Sequence, residues 1–450
     1  MVVFYRKSLR AIISVLVISL LLIMNACDDR LAPNPDLLLE APVYALNDAN
    51  QLMRVTSGTL HEPITPIRIV GTNVEVGERI MSIDFRPATG QLYGVSNKSR
   101  LFIINPNTAE ARPLTTNPFT PSLTGSIVGI DFNPAFDRIR LISTDGQDFW
   151  LNPETGLVAA KNSISSNLMG IMVSELAYTN NRAGALTTVL YNIDPATDRL
   201  YIQTQSGKSK LTDVGALGLD IAGAAGFDIT PDGHGLVAVT FNGASELQQV
   251  NLATGRLHKL GNLPGTIIGL AVPTEPVAYA IDSNNSLLVF NPLNPLPVAK
   301  TVTGLQEGEE INGLDFRPST GQLYALGSSN RLYMLNTASG IASAVSKAPF
   351  GNQLSEPIAD FRFTPISDRI WLKMATGQTF LLNPVDGMVD KVEQAPNQYL
   401  PNLTRPAYTL LRTNDSTRIR AINPVNRSAS SEILLPGNPT IRGFTTGLGL

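Results

Sequence analysis

Cysteine is almost missing from this chain: one residue in 450, Cys27. A disulfide framework and a thiolate metal site are therefore both excluded. Histidine is nearly as scarce. His61, His234 and His258 are the full set, and none lies three or four residues from another. That removes the helical histidine pair of common zinc sites. Charged residues make up only 16% and contain no basic run, so the electrostatic footprint of a nucleic-acid binder is lacking. Gly-x-Ser-x-Gly and the phosphate-loop patterns do not occur. Asp145-Gly146-Gln147-Asp148 is too short and too poor in carboxylates for a calcium loop and reads as a hairpin. Arg138 and Arg369 each follow an Asp, and a bond to a neighbouring turn is the simpler use for them. No catalytic residue, metal ligand or cofactor-binding residue is expected, and no cofactor.

What is present begins with a targeting signal. Arg6, Lys7 and Arg10 precede an uncharged apolar run, Ala11 to Met24. That run is short for a spanning helix and suits a signal-peptide core. It ends in Met24-Asn25-Ala26-Cys27, which resembles a bacterial lipobox, and the lone cysteine falls at that point. The expectation is a signal peptide over 1–26 and lipidation of Cys27. Loss of Arg6, Lys7 and Arg10 with the signal moves the formal net charge from −3 to −6. Residues 27–42, rich in Pro and acids, read as a tether from the lipid to a domain at 43–450.

That domain is organised around Asp84-Phe85-Arg86-Pro87-Ala88-Thr89-Gly90-Gln91-Leu92-Tyr93. The segment returns almost unchanged from Asp315 to Tyr324, an offset of 231 residues. Pro87 suits the second position of a type I turn, and Gly90 and Gly321 can take the left-handed conformation that closes it. The flanks, Ile80 to Phe85 and Leu92 to Val95, are apolar and β-prone. Looser copies start at Asp131 and Asp228, and weaker ones lie at Glu175 to Tyr178 and Gly269 to Pro273. The offset then corresponds to five units of ~46 residues, the period of a propeller blade. A second turn class, such as Asn105-Pro106-Asn107-Thr108 and Asn336-Thr337-Ala338-Ser339-Gly340, follows near-continuous apolar runs. Strands covered on both faces read that way. The leading Asp of each copy recurs at one position. Its simplest role is to accept backbone N–H groups of the turn it precedes. Ser82, Gly129, Gly226 and Gly313, two residues earlier, suit inner strands that crowd a central channel, or a bulge.

The fold class expected is all-β: a β-propeller of about eight or nine four-stranded blades. The unit at Val43-Tyr44-Ala45-Leu46 lacks an inner strand, and Gly443 to Leu450 resembles the inner strand Thr266 to Ala271. The C-terminal strand is therefore expected to join the first blade and close a single ring.

The decapeptide, Asp137-Arg138-Ile139-Arg140-Leu141, Leu151 to Gly156, Ala177 to Asn181 and Gly226 to Gly233 together resemble the bacterial "domain of unknown function 4394" family. The resemblance covers 77–272 almost completely and 278–415 as a partial second copy without a counterpart of 220–263. Arg362 stands in that copy where the first has Asp131. The resemblance implies a secreted or envelope protein with propeller-like repeats and no assigned catalytic residues.

Three function classes fit. One is a lipid-anchored binding or scaffold module of the bacterial envelope, monomeric, held to the membrane through Cys27 and facing the periplasm or cell exterior, with a protein or glycan ligand. The second is a propeller hydrolase or lyase with a site at the central channel. The third is a purely structural envelope protein. A propeller supports all three. Specificity would lie in the least regular loops, Pro113 to Gly125, Lys161 to Met172 and Lys391 to Pro401.

Overall fold

The computed structural model describes residues 42–448 apart from 57–59, 61, 72, 126–127, 162–163, 166–172, 205–208, 346–347, 351–357, 365–366, 395–406, 413–415 and 423–428. Every regular element among the described residues is a β-strand. The strands form nine sheets: seven of four strands, one of five and one of three. A representative sheet runs in chain order through Ile80–Arg86, Gln91–Ser96, Leu101–Ile104 and Ala111–Pro113, all antiparallel. The all-β, propeller-like architecture expected from the repeat is therefore present.

Each letter of the organising decapeptide has a physical task. Asp84 accepts the N–H of Phe85 at 2.7 Å and, with its other oxygen, the N–H of Phe132 on the next sheet at 2.7 Å. Phe85 packs its ring against Tyr44 of the preceding sheet, and Tyr93 packs edge-on against Phe132 of the following one. The second copy repeats the pattern with Tyr279–Phe316 and Tyr324–Phe363. Such pairs add about 1 kcal/mol each beyond their buried area. Gly90 and Gly321 have φ of 70° and 67°, the left-handed conformation that the turn demands. Asp137 and Asp368 occupy the corresponding place in the next turn, with φ of 51° and 50°.

The small residues before the leading Asp mark close approach of strands. A Cβ on Gly226 would lie 2.0 Å from the Leu270 nitrogen, and one on Gly129 would lie 2.8 Å from the Ser174 carbonyl oxygen. Register shifts fall beside Ser82, Gly226 and Gly313. Bulge and crowding thus occur together, as the two readings of these positions allowed.

One expectation is overturned. The C-terminal strand Ile441–Thr446 does not join the first sheet. It pairs with Ala278–Asp282, with Ala280 opposite Phe444. The strand that completes Val43–Asn47 is Ile267–Ala271, with Ala45 opposite Leu270. The two candidate strands are similar in sequence because they do the same job in different places. Gly269 approaches Ser82, and Gly443 approaches Gly313, which stands at the same point of the second copy.

The apolar core is divided among the seams between sheets. Separate clusters join the sheet of Val43–Asn47 to that of Ile80–Arg86, and that to the sheet of Val128–Asn133. Further clusters reach the sheets of Glu175–Tyr178 and Gly223–Ile229, and the last packs back on the sheet of Val43–Asn47. After Val272 a further set joins the sheets of Ala278–Asp282, Ile311–Arg317 and Ile358–Phe363. Tyr408, Ile419 and Leu435 pack on the free side of the Ala278–Asp282 sheet.

Candidate functional site

Five innermost strands of the first half, Ile80–Arg86, Val128–Asn133, Glu175–Tyr178, Gly223–Ile229 and Ile267–Ala271, lie side by side. Three of them carry the leading Asp. Because the repeat places that residue at one level in each of these three units, Asp84, Asp131 and Asp228 converge. Each offers an oxygen within 4.8 Å of the other two. All three are buried, with exposures of 2%, 3% and 1%.

Their bonds are unequal. Asp228 accepts N–H groups of Ile229 and of Val272 on the adjoining sheet, both at 2.6 Å, and the Asn181 amide at 3.2 Å. Asp84 is held by the two N–H groups given above. Asp131 has one long bond, 3.4 Å from the N–H of Tyr178. These carboxylates therefore tie one sheet to the next, in addition to the local turn contact that the sequence suggested. Burial raises the affinity of all three for protons. The neighbouring Asp228 adds to this at Asp84, and Asp84 and Asp228 add to it at Asp131. At Asp228 burial outweighs the N–H donors and pushes the carboxyl up to about 7.

The second half solves the same problem with fewer acids. Asp315 accepts the N–H of Phe363 at 2.5 Å and the Thr445 hydroxyl at 2.8 Å. Burial raises it to about 6, against the Phe363 and Thr445 bonds and the charge of Arg362. Arg362 occupies the place of Asp131 and pairs with Asp360 of its own strand.

As chemistry, three convergent carboxylates form a hard-oxygen donor set of the kind that holds calcium or magnesium. They can equally share protons among themselves. Their burial shuts them from any bulky substrate. Sequence reasoning noticed the recurrent Asp but had no means to bring three units together. The one available signal was recurrence of the Asp at a fixed level of three of the five inner strands.

The residues singled out from sequence do not join this cluster. Cys27 and His61 lie outside the described residues. His234 is exposed in its turn, with Nε2 3.3 Å from Asp232 and Nδ1 3.4 Å from the Gln249 amide. His258 sits opposite Gln249 on the neighbouring strand, and its Nε2 is buried without a partner. Arg138 donates to the Asp137 carbonyl at 2.8 Å, and Arg369 pairs with Asp390. Gly146 closes the expected hairpin with φ of 89°, while Asp148 leaves it to pair with buried Arg140 at 2.5 Å.

Of the three variable loops, Pro113 to Gly125 is described throughout. Phe119 is buried against Phe149, and the N–H groups of Phe119 and Leu123 bond to Ser99 at 2.8 Å each. Thr116, Asn117, Pro118, Thr120, Ser122 and Thr124 remain exposed on this pinned frame. Lys161 to Met172 and Lys391 to Pro401 fall largely outside the described residues.

The family model for a domain of unknown function, number 4394, matches residues 51–271 and 286–421. The chain belongs to this family. One nearly complete copy and a partial second copy were expected, and the two matched ranges agree with that. A comparison with curated proteins finds no match. Similar solved structures include the Swd1 β-propeller domain of Myceliophteria thermophila, at 10% identity and TM-score 0.28, covering 66% of this chain and 94% of that one. Virginiamycin B lyase of Staphylococcus aureus is similar at 11% identity and TM-score 0.27, over 75% and 94% of the two chains. PorZ, a surface component of the type-IX secretion system of Porphyromonas gingivalis, is similar at 12% identity and TM-score 0.28, over 87% of this chain and 57% of that one. These likenesses concern the fold and carry nothing about activity.

Proposed function

We propose that this family member is a lipid-anchored binding or scaffold module of the bacterial envelope that performs no catalysis. One observation carries the reading: the charged residues that recur through the repeat are committed to holding the sheets together. Asp84, Asp228 and Asp315 bind backbone of adjoining sheets, and Arg86 and Arg317 bind Asp137 and Asp368. That leaves loops on a rigid frame as the variable surface, with Thr116 to Thr124 as the best-defined patch and a protein or glycan as its ligand. The anchor is the lipid on Cys27.

The hydrolase or lyase reading draws on the three convergent carboxylates. It ranks second because a substrate has no route to groups buried this deeply. Two measurements test the proposal. Labelled palmitate is incorporated by the wild type and not by Cys27→Ser; equal labelling removes the anchor. Binding of envelope polysaccharide and protein fractions falls when 115–124 is shortened. Unchanged binding, or turnover of an ester, lactone or glycoside lost in Asp228→Asn, overturns the scaffold reading.

A further inference from the structure

We infer that the chain is two propeller units rather than one ring, and that the first copy of the decapeptide is the surface on which the second unit docks. In the first unit, five inner strands follow one another and the last, Ile267–Ala271, lies against the first, Ile80–Arg86. Five apolar clusters occupy the five seams. Residues 43–272 thus return to their own start without help from the C-terminus. The second unit has its own closing strand, Ile441–Thr446, set between Ala278–Asp282 and Ile311–Arg317. The edge of Ala278–Asp282 is therefore covered by a strand from its own half, where a single ring would need that strand at Val43.

The contacts between the units converge on the two copies of the turn. Arg86 is fully buried and binds Asp137 through two bonds, 2.8 and 2.5 Å, and Glu154 at 3.2 Å. It also donates to the Gly321 carbonyl at 3.0 Å. Asp137 in turn accepts the Thr337 hydroxyl at 2.8 Å. Arg112 donates to the carbonyls of Pro318 and Ser319, and the Tyr279 hydroxyl donates to that of Ala88 at 2.9 Å. Ala183 packs into the apolar core of the second unit.

The second copy contributes turn carbonyls to this contact, not its Arg–Asp pair. Arg317 and Asp368 form the same pair at 2.6 Å but are 15% and 36% exposed. Val385, exposed, stands where Glu154 stands in the first copy. In the first copy the Arg–Asp pair has become a buried anchor, and in the second it has stayed partly exposed. The connection, Val272-Pro273-Thr274-Glu275-Pro276-Val277, is short and has Val272, Thr274 and Val277 buried, so the docked pair has no free hinge.

The test uses the mature full chain. A variant combining Arg112→Ala, Thr337→Ala and Tyr279→Phe removes cross-unit bonds and spares the Arg86–Asp137 pair. The loss of bonds on this scale raises the undocked fraction on the order of a hundredfold. Expected are faster thermolysin cleavage within 272–277, a larger radius of gyration and two melting transitions. Amide exchange in Val43–Asn47 stays at the wild-type rate. Unchanged cleavage and scattering would overturn the docking role. A single transition in which Val43–Asn47 and Ile441–Thr446 lose protection together would overturn the two units. Should the triple variant fail to accumulate, Tyr279→Phe alone read by cleavage and exchange gives the same two decisions.

Discussion

Arg86 and Gly321 belong to the two copies of one decapeptide, and they touch: the Arg86 guanidinium donates to the Gly321 carbonyl at 3.0 Å. The repeat therefore both builds the sheets and supplies the contact between halves. A β-turn carbonyl is left free by the turn itself, and a buried guanidinium with five donors needs several acceptors. Asp137, Glu154 and Gly321 provide them.

The two copies should respond differently to the same substitution. Arg86→Leu leaves Asp137 and Glu154 facing each other with their main cation gone, one of them fully buried. About 3–5 kcal/mol should be lost. Arg317→Leu opens a partly exposed pair and should cost ~1 kcal/mol or less. Urea denaturation of both variants checks this, and equal losses would contradict the asymmetry.

The three convergent carboxylates set a pH dependence. A carboxyl raised in the folded state favours the protonated form, so its contribution is fully present below its unfolded value and is lost as pH rises through the folded one. For Asp228 that window runs from 3.8 to about 7, with up to about 4 kcal/mol at stake. Asp84 and Asp131 act in the same direction. Asp137, held low against its burial by Arg86, acts oppositely and loses its contribution only in stronger acid. Stability should therefore fall between pH 5 and 7.5. Asp131→Asn keeps the one bond from Tyr178 and removes a like charge, so it should gain on the order of 1–2 kcal/mol at pH 7.5 and little at pH 5. Urea midpoints at the two pH values give the answer; a flat wild-type profile would contradict it.

Glycine positions separate crowding from turn freedom. Gly226→Ala meets the Leu270 nitrogen at 2.0 Å from a left-handed φ of 81° and should abolish soluble protein. Gly223→Ala, three residues earlier on the same strand, meets nothing within 4 Å and should shift the midpoint by less than about 0.5 kcal/mol. Soluble yield and melting of the two variants distinguish them.

Much of this fold is legible from residue order alone. Gly90 and Gly321 announce the turn, and near-continuous apolar runs such as Leu101–Ile104 announce strands covered on both faces. Asp137 hides its left-handed turn better, since Asp tolerates that conformation without demanding it. What could not be read is which inner strand completes which sheet. Ile267–Ala271 and Ile441–Thr446 are alike because each must present a glycine to its neighbour, and likeness cannot tell partners apart. The convergence of Asp84, Asp131 and Asp228 was hidden for a related reason. Their separation in sequence becomes proximity only through the arrangement of whole sheets.

Strand-resolved hydrogen exchange after deletion of residues 443–450 tests the central claim about this chain most directly. The pairing of Ala278–Asp282 with Ile441–Thr446 predicts that protection collapses at Ala278–Asp282 and at Ile311–Arg317, while Val43–Asn47 and Ile267–Ala271 exchange as in the intact chain. Loss of protection at Val43–Asn47 would contradict it, and would return the C-terminal strand to the first sheet.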